Sequence, residues 1–199
     1  PLEAGKQASG FEVSMQAWQG DDWRTHASMR VLPHPESEPP NPLDMTEIAG
    51  RCAAEDLTFE NGLMDRFQEG DFLALGLHWH NLRTLYIGEH EALGWFELAA
   101  GLQGQDPEFI LNPALLDMAT GPSLSYLLQR WLAEDLRETI YLPQSYGRLI
   151  VRDRLPSRLY SHSRFFPERD PSFATLSLDI ALYDELGRCL VTVDYFVLK

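Results

Sequence analysis

FILNPALLDMATG, Phe109 to Gly121, runs straight on into PSLSYLLQRWL, which ends at Leu132. Leu111, Leu115, Leu116, Met118, Ala119, Leu124, Tyr126, Leu127, Leu128, Trp131 and Leu132 leave almost no wet face between 111 and 128. A helix apolar on every side is a buried helix. One carboxylate, Asp117, sits in its middle. Two readings of it are open. With Pro113 suited to a first helical turn, Asp117 can serve the helix start as a cap. Alternatively, it is a buried acid, and a carboxylate in such surroundings keeps its proton nearer neutrality.

Downstream, four segments alternate as strands: Ile140 to Val151, Arg158 to Phe166, Ser172 to Asp184, and Arg188 to Leu198. The last two are joined by Asp184-Glu185-Leu186-Gly187 into a hairpin, with the period of two that marks a half-buried strand. Upstream, GEHEALGWFELAA (Gly88 to Ala100) reads as a turn and a strand, and Thr46 to Ala54 and Glu60 to Gln68 are short helical candidates. Residues 33–44, PHPESEPPNPLD, carry five prolines and form a stiff connector. Before it, FEVSMQAW and WRTHASMRVL are two strands around a turn at Gly20-Asp21-Asp22. One long helix followed by an antiparallel meander predicts an α+β chain of the hot-dog type.

The wording of these segments resembles polyketide synthase dehydratase domains, which are double hot-dogs. LNPALLDMATG resembles the LHPALLD segment that opens the second hot-dog helix, and Asp117 falls on the family's catalytic aspartate. Asn112 stands where the family has His, and Gly121 where many members carry Gln or His four residues after the aspartate. LGLHWHNLRTLYIG resembles the YGPxFxxLxxxxxG segment that lines the substrate tunnel. Leu75, Gly76, Leu77, His78 and Trp79 occupy its five defining positions, so Leu75, Gly76, His78 and Trp79 are expected beside substrate, with no tyrosine hydroxyl at 75. LPQSYGRLIVRDRLPSRLYSHSRF resembles the LPFSW strand and its continuation. It makes Gln144 and Tyr146 the candidates to steady Asp117 in place of a side chain at 121. Asn112 and Gly121 complete the set of expected binding residues. Ser14, Trp23, His26 and Val31 resemble the end of a first hot-dog. The division implied is therefore 1–32 as linker and last strands of a first hot-dog, 33–44 as connector, and 45–199 as a second, C-terminal hot-dog.

What the resemblance implies is removal of water from a β-hydroxyacyl thioester to give the α,β-enoyl thioester. A base must take the α-proton and an acid must protonate the poor β-hydroxyl leaving group. In the family a His is the base and the aspartate serves the hydroxyl. The His motif HxxxGxxxxP does not occur in this sequence; His90 and Gly94 match its first spacing, but position 99 is Ala99. On its own, this chain is expected not to dehydrate. No bound cofactor is implied, because substrate arrives on the phosphopantetheine arm of an acyl carrier protein. The implied partners are that carrier, the other synthase domains, a first hot-dog and, among assemblies, a homodimer. A dehydratase-like domain without this activity, whether architectural, a double-bond isomerase or a cyclase, is the competing reading. A free-standing hot-dog thioesterase accounts less well for the wording after residue 139.

Composition narrows the partners. Thirty acidic and sixteen basic residues give a formal charge of −14, with no basic field to attract nucleic acid or an anionic membrane. No run of 18 apolar residues exists to span a bilayer, and PLEAGKQASG lacks the pattern of a secretory leader and reads as a linker. Cys52 and Cys189 are far apart and match no metal spacing. They are expected as buried thiols in a reducing compartment, the cytoplasm. His78 and His80 have the i, i+2 spacing of strand metal ligands. Without a third ligand at useful spacing, no metal is expected.

Overall fold

The computed structural model describes residues 10–33, 39–53, 55–60, 76–102, 109–121, 141–169 and 174–199. The chain divides into two compact units, Pro1–Glu38 and Pro39–Lys199.

The first unit is an antiparallel pair, β1 (Phe11–Gln19) and β2 (Asp22–Val31). Gly20 turns the chain with φ 66°, a left-handed conformation that suits a residue without Cβ. Trp18 and Trp23 face each other at the turn, ring centroids 5.6 Å apart, and Gln16 Nε2 donates to Thr25 Oγ1. The register shifts between Met15 and Gln16, opposite Ala27 and Thr25, which leaves His26 as the extra residue of a bulge. Within this unit Phe11, Met15, Trp18, Trp23 and Met29 are all exposed. An isolated two-stranded ribbon with such a surface is marginal by itself.

The second unit holds α1 (Met45–Arg51), strands β3 (Glu55–Thr58), β4 (Leu82–Ile87) and β5 (Glu91–Glu97), α2 (Pro113–Thr120), and strands β6 (Pro143–Val151), β7 (Arg158–Phe165), β8 (Leu176–Tyr183) and β9 (Cys189–Leu198). The strands form one seven-stranded antiparallel sheet in the order β3-β4-β5-β7-β8-β9-β6. Its alternation sends side chains to two cores. Ala92 and Phe96 of β5 join Leu115 and Met118 of α2, whereas Leu93 of the same strand joins Met45, Ile48 and Cys52 of α1. Cys52 and Cys189 are both buried free thiols, and burial pushes Cys52 up to about 11. The turn between β8 and β9 places Gly187 at φ 77°, with Leu43 backbone so close that any Cβ would collide with it. β6 is an edge strand, and from Pro143 to Leu149 it is exposed.

Helix α2 starts as the sequence predicts, with Pro113 in the first turn, but the cap is Asn112. Its Oδ1 accepts from Ala114 N and Leu115 N at 3.0 and 3.3 Å, satisfying two donors that no helical carbonyl can reach. Leu115, Met118 and Ala119 lie on the sheet beneath, and Ser161 of β7 donates to Ala119 O. Burying Leu115 and Met118 stabilises the unit by roughly 1.5–3 kcal/mol each. The expectation of a helix apolar on every side is corrected here. Pro113 and Asp117 are exposed, because residues 115, 118 and 119 share the inner face and 117 projects from the opposite one. The continuation PSLSYLLQRWL lies outside the described residues, as does most of the second helical candidate, Glu60 to Gln68.

Candidate active site

The site is built on two supports, α2 and the 3-10 turn Leu77–Trp79 that precedes β4. Asp117, on the outer face of α2, receives a hydrogen bond from Trp79: the indole Nε1–H donates to Oδ2 at 2.8 Å. The Trp79 ring is half-buried and packs on the main core, so its N–H has a fixed direction. Its own backbone N–H closes the turn onto Gly76 O at 2.9 Å. His78 is exposed and sets its ring edge-on to Trp79, centroids 6.3 Å apart.

Between these supports lies Asn81, fully buried and bonded on every side. Its amide nitrogen donates to His78 O (2.7 Å) in the turn and to Ala114 O (3.4 Å) in α2. Its amide oxygen accepts from Ala99 N (3.0 Å), and its backbone carbonyl from Glu97 N. One side chain thus ties the turn that carries Trp79 to the helix that carries Asp117. Composition and periodicity gave no reason to single it out. The available signal was an Asn at the entrance to an otherwise apolar strand, which must find partners once buried.

Tyr146 approaches from β6. Its ring stacks at a tilt on Phe196 of β9, 4.8 Å between centroids. Its hydroxyl engages the Thr120 side chain, and it feels the Asp117 carboxylate. Burial first, and then that neighbouring charge, push Tyr146 above the ordinary tyrosine value. It stays a neutral phenol with a hydrogen to give. Thr120 in turn donates back to Leu116 O and Asp117 O at the end of the helix.

The sequence-predicted residues therefore fall into separate groups. Asp117, Trp79 and Tyr146 come together, with His78 and Gly76 beside them. Asn112 lies at the other end of α2, its oxygen occupied in capping. Gly121 ends the helix one turn beyond Asp117. Gln144 sits exposed where the β6–β9 register shifts. The hydrogen bond expected on Asp117 from Gln144 or Tyr146 comes instead from Trp79. Leu75 lies outside the described residues. The buried acid expected at Asp117 is corrected as well, since Asp117 is exposed in this chain, as is Tyr146. His78 and His80 are joined by no third ligand among the described residues, where no group of three metal-type side chains assembles. No helix among the described residues is long and apolar enough to cross a membrane.

A cavity of about 460 Å³ lies on the α1 side, lined by Asp44, Glu47, Arg51, Glu91, His162 and Arg164 among others, and includes none of the predicted site residues.

The family model described as "Polyketide synthase dehydratase N-terminal domain" matches residues 35–199. Polyketide synthase PksM of Bacillus subtilis (strain 168) is 24% identical over 149 residues, which are 75% of this chain and 3% of that synthase. The crystal structure of a trans-AT PKS dehydratase domain from Brevibacillus brevis superposes with a TM-score of 0.76 at 22% identity, over 96% of this chain and 64% of that one. The dehydratase domain from the CurF module of the curacin polyketide synthase gives a TM-score of 0.76 at 20% identity, over 96% and 63%. These likenesses establish the shared hot-dog fold, and the chain spans under two thirds of the solved domains it matches.

Proposed function

From the premise that this chain belongs to the polyketide synthase dehydratase family, we propose that it is the second, C-terminal hot-dog of a dehydratase domain. Such a domain removes water from a β-hydroxyacyl thioester carried on an acyl carrier protein. The matching family model is described as an N-terminal domain; the assignment to the second half rests instead on residues, since NPALLD brings the carboxylate of that half and the His motif of the first is absent from the sequence. The observation that carries the reading is Asp117 on an outward helix face, held by the Trp79 indole N–H and close enough to the neutral Tyr146 for its charge to be felt there.

In this reading a first hot-dog covers the exposed faces of β6 and of α2 around Asp117. Covering them closes a tunnel over the carboxyl and excludes water from it. Asp117 then gives its proton to the departing β-hydroxyl, while a His of the first hot-dog takes the α-proton. Tyr146 is placed to donate to the same hydroxyl or to the thioester oxygen. Side chains supply both acid and base, so no cofactor is required beyond the phosphopantetheine arm that delivers substrate. The partners are the carrier protein, neighbouring synthase domains and a second copy of the domain, in the cytoplasm.

The test is turnover of a β-hydroxyacyl thioester by the complete two-hot-dog domain, wild type against Asp117→Asn. A loss on the order of 10²–10⁴ in rate is expected, the usual contribution of a positioned acid. Equal turnover by both proteins would remove Asp117 from the mechanism. Gly121 in place of a side chain that could hold the carboxyl favours a second reading, a dehydratase-like domain kept for architecture or for isomerisation or cyclisation. Absence of dehydration by either protein would select it.

A further inference from the structure

We propose that Trp79 is the positioning residue of Asp117, and that its indole N–H biases which carboxyl oxygen carries the proton. The inference rests on Asp117 acting as the acid, and it goes beyond the tunnel-lining place that resemblance alone gives Trp79. An indole N–H donates and cannot accept. Oδ2, held at 2.8 Å from Nε1, is therefore an acceptor in both protonation states of the carboxyl. The proton is thereby favoured on Oδ1, since the carbonyl-type oxygen of a protonated carboxyl is the stronger acceptor for the indole N–H and no described residue donates to Oδ1. A carboxyl steadied by a side-chain amide would be less well defined, because an amide can accept from one oxygen as readily as donate to the other. Trp79 thus favours one of two protonation patterns, the one that leaves the acidic hydrogen on the oxygen it does not hold.

The direction of the indole is itself fixed. Its ring packs on the core, its backbone closes a one-turn 3-10 helix, and Asn81 bonds both that turn and Ala114 in the first turn of α2. Donor and acceptor are therefore anchored to the same buried amide. A misplacement of either by a fraction of an ångström is costly for a transferring proton.

Position 121 supplies the control. It lies four residues after Asp117 on the same helical face, the spacing at which a Gln side chain reaches an Asp. Gly121 has φ −107° and ψ −60° and stands before Pro122, a place where a Cβ in the helical region is crowded by the proline ring. Away from its chain neighbours an added Cβ would meet nothing closer than Asp117 O at 3.4 Å. A glutamine there accepts some backbone strain before Pro122, and its side chain can take over the hold on the carboxyl.

The experiment uses the complete two-hot-dog domain and a β-hydroxyacyl thioester. Trp79→Phe keeps the aromatic ring and removes the N–H. The expected result is a fall in kcat of about 10–100-fold, the size of one hydrogen bond to a charged group, with KM little changed. Adding Gly121→Gln to Trp79→Phe should recover most of it. An unchanged kcat in Trp79→Phe overturns the proposal. So does a loss that falls on KM and is not recovered by Gly121→Gln, since that describes packing against substrate. A second readout does not depend on turnover. The Nε1–H resonance of Trp79, identified by its loss in Trp79→Phe, should move upfield in Asp117→Ala as its acceptor disappears. A resonance that stays in place overturns the proposal whatever the kinetics. If the wild-type domain fails to dehydrate while the resonance moves, the dehydratase reading falls and the carboxyl-holding bond stands.

Discussion

Glu91 and Asp117 are carboxylates on opposite faces of one sheet, and their surroundings differ in kind. Glu91, under α1, is saturated. Arg51 donates to it through Nε and Nη2 at 3.0 and 3.3 Å, and His162 Nε2 lies 2.6 Å from Oε2. Burial pushes Glu91 up, but Arg51 and His162 outweigh it and hold the group below the ordinary glutamate value. His162 is lowered by burial, which overrides the pull of Glu91. At neutral pH it is therefore an uncharged imidazole whose Nε2–H donates to an ionised Glu91. Asp184 is tied in the same way by Arg188 and two backbone amides. Among the described residues Asp117 has one donor, on one oxygen, and its side chain is exposed. A carboxylate with both oxygens bonded to Arg and His side chains of the fold is committed to holding them. A carboxylate held by one oxygen alone is oriented and still available.

The contrast is broken most severely by substitutions that should separate rate from stability. Asp117→Asn is expected to leave the unfolding free energy within about 0.5 kcal/mol of wild type, as for an exposed site, although turnover falls by the 10²–10⁴ given above. Glu91→Gln should do the reverse, with turnover preserved. A stability loss in Asp117→Asn comparable to that in Glu91→Gln would erase the distinction between the two carboxylates.

Next in size is Asn81→Ala. It strips partners from Ala99 N–H and from the His78 and Ala114 carbonyls inside the core. Unsatisfied buried groups cost about 1–3 kcal/mol each, partly relieved by water, so a net loss of about 2–4 kcal/mol by urea unfolding is expected. A loss below about 1 kcal/mol would deny Asn81 its place between the turn and α2.

Glu91→Gln follows, with about 1–2 kcal/mol lost in the same assay. The figure is held down because Arg51 is half exposed and water screens the pair. The smallest effect is in pH. His162 binds its proton more weakly folded than unfolded, so between its folded value and the ordinary 6.5 the unfolded chain holds more protons. Stability from this group is complete above about 6.5 and declines as pH falls toward the folded value. Unfolding free energies at pH 7.5 and 5.5 should show this decline in wild type and a shallower one in His162→Gln. Equal slopes would mean that His162 does not titrate with folding.

The strands were legible because their signal is local. LSLDIALYD and CLVTVDYFVL alternate by twos and flank a Gly-containing turn, and they emerged as β8 and β9 with Gly187 in the left-handed region. Helix α2 was legible at its start, where Pro113 fixes the first turn. Its exposed face was misread because apolar content averaged over the segment conceals which side each residue takes. Trp79 and Tyr146 could be nominated as neighbours of Asp117 only from resemblance, since 38 and 29 residues separate them from it.

By itself the sequence determined the antiparallel meander and the helix start at Pro113. Each depends on dihedral preference or on periodicity within a dozen residues. The tertiary structure alone decided that Asn112 rather than Asp117 caps α2, that Asn81 joins the turn to the helix, and that Trp79 rather than Gln144 or Tyr146 donates the hydrogen bond to the carboxyl. A hydrogen bond needs its atoms within about 3 Å and in line. That condition joins residues far apart in the chain, and only the packed sheet and helix fix which of them meet.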